Sequence, residues 1–269
     1  MSALTFMLRA PPDQRLDLSP LTPGNLVGKS LAEIAVLELQ TTRTRVTTGE
    51  VFKIRMAEPA TIRFIGGSER FDWLGHAMQG GAIEVEGEVG AQCGRLMAGG
   101  SIVVHGRAGC FAASGLTGGR LEIKGAAGDC LGAPAAGEMA GMAGGLVIVR
   151  GAAGQRAGER LRRGVMIVEG DAGAYAGCRM VAGTLIVCGK AARHPGVLMQ
   201  RGTILLSGAS TEMSPAFVDC GLQDLVIARL LASAVANDCR RAAALFRRPL
   251  RRLAGDMSQL GKGEILLPA

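Results

Sequence analysis

The chain has 269 residues, of which 48% are hydrophobic but only 3% aromatic, and it carries a formal net charge of +7. No uninterrupted apolar run approaches the roughly 18 residues of a membrane span, so the apolar content indicates buried strands and we expect no membrane segment. The positive charge raises the question of nucleic acid, but no recognition module accompanies it, and we expect no nucleic-acid partner.

Residues 1–58 precede the repeats described below and are predicted to form an N-terminal cap. They contain the apolar run IAVLEL at 34–39 and a predicted hairpin around Thr47–Glu50, followed by VFKIRM. VGKS at 27–30 lacks the upstream glycine of a phosphate loop because position 23 is Pro, so it predicts a turn into a short helix. The initial MSALTFMLRAPPDQR has neither the basic nor the apolar region of a signal peptide, so we expect a cytoplasmic protein.

A nineteen-residue unit then recurs seven times, and this period is the strongest signal in the chain. The units close on glycines that lie 19 residues apart, except for one step of 26 that accommodates seven extra residues near Ala133–Ala140. A weaker copy, ATIRFIG, ends at Gly66 and precedes them. The seven closing glycines are Gly87, Gly106, Gly125, Gly151, Gly170, Gly189 and Gly208.

Each unit contains a short segment of alternating apolar and polar residues, which predicts a half-buried β-strand. Flanking glycines, Gly173 and Gly177 among them, supply the positive φ angles and close backbone approach of corners. The inward strand residues are Ile83/Val85, Ile102/Val104, Leu121/Ile123, Val147/Val149, Met166/Val168, Leu185/Val187 and Ile204/Leu206. A second apolar position recurs at Met78, Met97, Leu116, Met142, Leu161, Met180 and Met199, which predicts another inward-facing side.

We therefore predict an all-β protein in which residues 59–210 form a parallel β-helix with one turn per repeat and seven to eight turns. Nineteen glycine-rich residues cannot hold two helices, which excludes an α-solenoid, and a propeller blade needs about forty residues. The predicted core is a thin stack of aliphatic and Met side chains that leaves no interior cavity for a ligand.

The outward positions of the last four predicted strands are also apolar. The middle outward residue is Ile148, Ile167, Ile186 and Leu205 in successive repeats, where water is expected. A stripe of this kind requires a cover, which is either the C-terminal helix of the same chain or another subunit. Residues 211–269 are predicted to be a helical, arginine-rich extension, because LQDLVIARLLASAV has apolar residues at helical spacing and RRAAALFRRPLRR at 240–252 contains six arginines.

The balance of basic and acidic side chains changes along the repeats. Residues 81–138 contain four basic and six acidic side chains, whereas residues 150–201 contain nine basic and three acidic ones. Two interpretations remain open at this point: a basic surface that contacts solvent or subunits, and a docking surface for an anionic ligand. Candidates for the second are Arg156, Arg160, Arg162, Arg163 and Arg179, which fall on predicted corners.

No constellation of catalytic or metal-ligating residues is evident. His76, His105 and His194 lie in different repeats without HxH or HExxH spacing, so the sequence assigns neither a catalytic nor a metal site. Seven cysteines without a C-x-x-C pair predict reduced thiols that pack as small buried hydrophobes.

The unit G-x-x-G-x-x-x-G-x-x-M-x-x-G-x-I-x-V-x-G carries a resemblance. It is seen in its fixed positions from Gly170 through Gly173, Gly177, Met180 and Gly183 to Gly189, and it resembles the tandem motif of the C subunit in the formylmethanofuran dehydrogenase family. A more distant likeness is to the C-terminal β-helix of the glutamate synthase large subunit. Within the first family, the size and the arginine-rich tail resemble the bacterial members that belong to formyltransferase/hydrolase complexes.

This resemblance implies a non-catalytic scaffold whose partners are a hydrolase, a formyltransferase and a further subunit. Such complexes move a formyl group from formyl-tetrahydromethanopterin to a methanofuran-type carrier and hydrolyse it to formate in formaldehyde oxidation. Zinc and the carrier are expected in the complex and no cofactor in this chain, and the carrier is expected to have an acidic tail that the five arginines would guide. The alternatives are a glutamate-synthase-type spacer subunit and the scaffold of a molybdenum or tungsten formylmethanofuran dehydrogenase.

Overall fold

The computed structural model describes residues 3–210 and 212–269. The protein is mostly β, and its dominant feature is a sheet of thirteen strands that is parallel over most of its width. The N-terminal elements are β1 (Ala3–Leu8), β2 (Leu16–Asp17), α1 (Pro23–Leu26), α2 (Leu31–Ala35), β3 (Glu38–Leu39), β4 (Val46–Thr47), α3 (Thr48–Val51) and β5 (Phe52–Arg55). They are followed by β6 (Glu58–Ile65), β7 (Phe71–Asp72), β8 (Ala82–Glu86), β9 (Ser101–Val104), β10 (Arg120–Ile123), β11 (Ala143–Val149), β12 (Arg163–Val168), β13 (Thr184–Val187) and β14 (Arg201–Leu206). The C-terminal elements are β15 (Val218–Gln223), α4 (Val226–Val235), α5 (Arg240–Phe246), β16 (Leu250–Gly255) and β17 (Lys262–Pro268).

Two short helices of the N-terminal region begin with the same local motif. Ser30 and Glu33 form a reciprocal capping box at α2, which confirms the predicted turn and helix after VGKS. Thr47 and Glu50 form a second capping box at α3, so the predicted hairpin around Thr47–Glu50 is wrong. Glu50 Oε2 accepts hydrogen bonds from the Thr47 backbone N–H at 2.6 Å and from the Thr47 hydroxyl at 2.9 Å, which satisfies a free backbone donor and stabilises a helical turn there.

Four phenylalanines close the core beneath this region. The rings of Phe6 and Phe64 stack with 5.1 Å between centroids, and Phe52 meets both edge-on at 5.7 Å. Phe71 packs against Phe52 at 5.6 Å, and all four side chains are fully buried. Four of the chain's nine aromatic residues are therefore used to end the aliphatic stack.

Each repeat contributes one strand, and the strands lie side by side in chain order from β8 to β14. Equivalent residues pair without an offset, as Met166 does with Leu185, and the weaker copy joins the sheet through Ile62, which pairs with Ile83. The predicted inward residues of the strands and the second apolar series are both confirmed, because none of them is more than 2% exposed. A second line of parallel bridges joins Val89, Ala108, Ala127, Ala153, Ala172 and Ala191 on another side of the repeats.

Gly173 and Gly177, the two corner glycines named in the sequence analysis, differ in backbone conformation. Gly177 has a φ of +69°, and a Cβ there would lie 2.5 Å from Ile204 Cδ1. Gly173 does not have a positive φ; instead a Cβ there would lie 2.7 Å from the backbone of Gly154 in the preceding repeat. The prediction of a positive φ at Gly173 is therefore wrong, and close stacking of the backbone requires glycine at that position.

The sheet continues past the last repeat. β17 pairs in parallel with β14 and places Ile265 next to Ile204 in the core, and β16 and β15 add antiparallel strands beyond it. The predicted helical extension therefore also contains three strands, and β15 ends the sheet.

Helices α4 and α5 cover the outward apolar stripe. Ile148, Ile167, Ile186 and Leu205 are all 0% exposed and form a second core with residues of both helices, among them Ala232. This confirms the cover by the C-terminal helix. The alternative cover by another subunit is wrong for these four residues.

A network of charged side chains marks the end of this covered region. Glu122 occupies the equivalent outward position in β10, next to Ile148 of β11. It accepts hydrogen bonds from Arg150 (Nη2, 2.8 Å), Arg120 (Nη2, 3.0 Å) and Lys124. Arg120 also pairs with Asp238 in the connection between α4 and α5. Burial raises the pKa of Glu122, but the three hydrogen bonds outweigh it and lower the pKa to about 2.

Candidate functional site

The five candidate arginines lie on one part of the repeat domain but in two kinds of position. Arg156, Arg160 and Arg179 are corner residues with left-handed backbone φ angles of 57°, 51° and 52°. Arg162 and Arg163 are exposed, and Arg163 is the first residue of β12, so the prediction that all five lie at corners is wrong for Arg163. Backbone bonds from Arg160 N to Cys178 O (3.1 Å) and from Arg179 N to Val197 O (2.8 Å) hold the successive corners in line.

One buried acid neutralises part of this charge. Glu159 is 8% exposed, and its carboxylate lies 3.0 Å from Arg179 Nη1 and 3.7 Å from Arg156 Nη1. Among the described residues, no carboxylate forms an ion pair with Arg160, Arg162 or Arg163. These three side chains therefore present the uncompensated positive charge of the group.

A groove of about 360 Å³ runs along the repeats at the same corner. Arg160, Arg179 and Leu198 occupy one equivalent position in three consecutive repeats, and Val181 and Gln200 line the neighbouring one. The groove is bounded by Met139 of the seven-residue insert at one end and by Gln259 of the turn between β16 and β17 at the other. Arg160 Nη1 donates a hydrogen bond to the Met139 carbonyl at 3.2 Å, which holds the insert against the groove.

A buried arginine fixes the other side of the insert. Arg95 is 9% exposed, and its guanidinium donates to Glu138 Oε1 at 2.6 Å and to Ser114 Oγ at 2.9 Å. It also lies over the Trp73 ring at 5.6 Å, next to His76. Burial and then the charge of Arg95 lower the pKa of His76, so this histidine is neutral and the cluster is an anchor for the insert.

The remaining histidines are separate from one another. His105 Nε2 lies 2.8 Å from Glu84 Oε1, and His194 Nε2 lies 3.5 Å from Glu212 Oε2. Within residues 3–210 and 212–269, no three His, Cys, Asp or Glu side chains are grouped as metal ligands. No helix in the same described ranges is long and apolar enough to cross a membrane.

The cysteines are free thiols, but they are not all buried. Cys93, Cys178, Cys188 and Cys239 are buried, and burial raises the pKa of Cys93 and of Cys178 to about 12. Cys110 and Cys220 are exposed and Cys130 is half-buried, so the prediction of buried thiols is wrong for these three positions.

The fold and the glycine-rich repeat define a mostly β repeat protein with a large, mainly parallel sheet, and comparisons with known proteins identify its family. No protein-family model matches the chain. The Fhc C subunit of the formyltransferase/hydrolase complex of Methylorubrum extorquens is 51% identical over 265 residues, which cover 98% of this chain and 99% of that protein. The chain therefore belongs to the family of C subunits of formyltransferase/hydrolase complexes.

A solved structure agrees with this assignment. With a TM-score of 0.93 and 40% identity, 98% of this chain superposes on 99% of a chain in a crystal structure. That structure is the formyltransferase/hydrolase complex (FhcABCD) from Methylorubrum extorquens in complex with methylofuran. The resemblance carried by the repeats is confirmed, and the bacterial family applies rather than the glutamate synthase alternative.

Proposed function

We propose that this chain is a non-catalytic structural subunit of a formyltransferase/hydrolase complex and that residues 59–210 form its parallel β-helix. The observation that carries the function is the likeness to the Fhc C subunit over 98% of this chain and 99% of the relative. In this proposal the formyltransferase and hydrolase chemistry, with its zinc, belongs to the other subunits. The donor groups of the described residues do not fit a zinc site, so we assign no metal step to this chain.

Hydrogen bonds on several sides of each repeat support the β-helix. Besides the strand ladder and the alanine bridges, Gly177 N donates to Ala157 O at 2.8 Å and Val181 N donates to Leu161 O at 2.9 Å. Each nineteen-residue unit thus bonds to the preceding unit at the strand, at the opposite side and at the corners between them. We accordingly divide the chain into a cap at 1–58, the β-helix at 59–210 and a C-terminal extension at 211–269.

The structural role has a direct test in the assembled complex. Omitting this chain from a co-expressed set of the four subunits should abolish assembly and formate release. Replacing His105 and His194 with Gln together should leave the activity of the assembled complex within about twofold, since neither group belongs to a catalytic constellation. A loss of a hundredfold or more in an intact complex carrying both changes would contradict the non-catalytic role.

We further propose that the groove and the unpaired arginines guide an anionic carrier between active sites in other subunits. The related complex was crystallised with methylofuran, and the resemblance implies that such a carrier has an acidic tail. Arg160 lines the groove, and Arg162 and Arg163 follow it in the same repeat; none of the three has a carboxylate partner among the described side chains, whereas Arg156 and Arg179 share Glu159. A positively charged surface at the groove would raise the local concentration of an acidic carrier tail there.

The experiment reverses the charge of Arg160, Arg162 and Arg163 to Glu in the assembled complex. We expect the apparent KM for the carrier to rise about 3- to 10-fold at low ionic strength, and the effect to fade at high salt as screening shortens the field. The matched control reverses Arg43, Arg45 and Arg55, which are exposed in the cap and give the same change in net charge. Equal effects of the two triple variants, or none, would contradict the guide.

A further inference from the structure

The outer side of α4 is apolar although it faces solvent. Val226, Ile227 and Leu230 are 66%, 46% and 61% exposed, while Ala228 and Ala232 on the inner side are buried. Arg229 and Ser233 are the polar residues of this helix, and the rest of its exposed side is apolar. An exposed apolar patch of this kind marks an interaction surface. The inner side already covers the stripe of β11 to β14, so the outer side needs a different partner.

The strand next to this helix is the open edge of the thirteen-stranded sheet. β15 pairs with β16 on one side only, and no strand among the described residues pairs with its other edge. The pairing is irregular at Cys220 and Gly221, where the Asp219 and Gln223 side chains bond the Gly221 N–H and the Cys220 carbonyl. Val218 and Leu222 on this strand are 53% and 62% exposed. An unprotected edge flanked by apolar side chains is a template for an added strand.

A cavity of about 550 Å³ connects the strand to the helix. Leu225, Ala228, Phe246 and Leu250 contribute apolar walls at the junction of α4, α5 and β16. Its volume accommodates an aromatic or large aliphatic side chain, the kind of anchor that dominates the energy of protein interfaces. Edge, helix side and cavity are contiguous, since Leu222 of β15 and the exposed Arg229 of α4 line the same cavity, and Arg229 lies one helical turn from Val226.

The charges around the cavity indicate what kind of partner fits. Arg229 pairs with Asp224 at 2.8 Å and Arg251 with Asp219 at 3.4 Å. Arg247 and Arg248 also line the cavity and have no carboxylate side-chain partner among the described residues, and Arg248 Nη2 donates to the main-chain oxygen of Ala269. A second copy of the chain would bring these arginines against each other, so a partner with acidic side chains is favoured.

We propose that β15, the outer side of α4 and this cavity form one docking surface for an extended segment of another subunit of the complex. The segment adds a strand to β15, places an apolar side chain in the cavity and directs acidic side chains to Arg247 and Arg248. This inference rests on the proposed assembly, because it needs a partner from the same complex.

Two native thiols allow a test without mutation. Cys220 lies on β15, and Cys110 lies in a repeat corner; both are exposed in the chain alone. In purified complex, alkylation of Cys220 by iodoacetamide should be at least about tenfold slower than in the isolated chain, because the added strand covers it. Cys110 reports the activity of the reagent in the same samples. An unchanged rate at Cys220 in the complex overturns the docking surface.

A pair of matched double variants tests the surface by binding. Val226→Asp with Leu230→Asp should weaken co-purification of the partner at least about tenfold, the effect of losing an interface hot spot. The control is Val36→Asp with Leu260→Asp, which alters side chains of similar exposure, 68% and 55%, elsewhere on the chain. Thermal unfolding of each isolated variant establishes that folding is retained, since all four residues face solvent.

The outcomes separate the docking surface from the assembly. Loss of the partner by the first double variant alone supports the surface. If the two double variants co-purify the partner to the same extent and the wild type still assembles, the docking surface is overturned and the proposed assembly stands. A wild-type chain that recruits no other subunit instead refutes the assembly. A homodimer of the isolated chain that dissociates on Leu230→Asp, measured by light scattering, assigns the surface to a second copy and overturns the acidic partner.

Discussion

The covered stripe on the sheet provides the sharpest prediction about how this chain is held together. Ile167 lies in the middle of the stripe, is 0% exposed, and packs between Ile148 and Ile186 beneath α4 and α5. Truncation to Ala removes buried methyl and methylene groups and leaves a cavity, which costs about 2–5 kcal/mol in protein cores. Ile167→Ala should therefore lower the free energy of unfolding by that amount in a urea titration.

Val103 supplies a matched control from the same line of outward residues. It occupies the equivalent position in β9, beyond the reach of α4 and α5, and is only half-buried. Val103→Ala should cost less than about 1 kcal/mol, as is usual away from a packed core. Equal costs at Ile167 and Val103 would contradict the cover.

A charge at the covered position gives a second readout of the same interface. Ile167→Asp would place a carboxylate among aliphatic side chains without a partner, at a cost of several kcal/mol. We expect α4 and α5 to detach and the Arg240–Arg241 bonds to become sensitive to trypsin, while the repeats stay folded. Continued resistance of that site at wild-type stability would refute the reasoning.

Three further predictions concern the corners and the charged clusters. Gly177→Val should lower the free energy of unfolding by at least about 1–3 kcal/mol, because Gly177 has a positive φ and a crowded Cβ position. The control Ser101→Ala should lower it by less than about 0.5 kcal/mol. Equal melting temperatures of the two variants would contradict this expectation. Glu122 has a pKa of about 2 in the folded protein against an ordinary 4.5, so its contribution is complete above pH 4.5 and is lost as the pH falls through about 2. In a pH titration of the unfolding free energy, Glu122→Gln should reduce the loss of stability between pH 4.5 and about 2. An unchanged loss of stability in this pH range would argue against the network. Glu138→Ala leaves the buried guanidinium of Arg95 without its carboxylate and should cost about 1–3 kcal/mol, with faster proteolysis of the insert; an insert as resistant as in the wild type would count against this anchor.

The repeats could be predicted from sequence because the period and the alternation specify both the strands and their register. Equivalent residues such as Met166 and Leu185 pair directly, as a constant spacing of nineteen residues requires. The outward ladder could be recognised in the same way, since four apolar residues in line must be covered. The pattern could not decide between a helix of the same chain and another subunit, because both bury the same side chains.

Other features depend on contacts that local patterns do not contain. KGEILLP at the C-terminus has the G-x-I-L-L pattern of a repeat strand, but more than fifty residues separate it from β14, so the sequence alone does not place it in the sheet. The threonine and glutamate of the capping box at α3 are visible in the sequence, but they also fit a hairpin turn. Neutralisation of Arg179 by Glu159 becomes clear only when successive repeats are stacked.

Purification of the affinity-tagged protein from its native cell is the decisive test of our proposal that this chain is a structural subunit of a formyltransferase/hydrolase complex. Native mass spectrometry of the eluate should show one assembly that contains this chain together with formyltransferase and hydrolase subunits in fixed proportion. A chain that elutes alone, or with flavin and iron–sulfur subunits of a different enzyme, would contradict the claim.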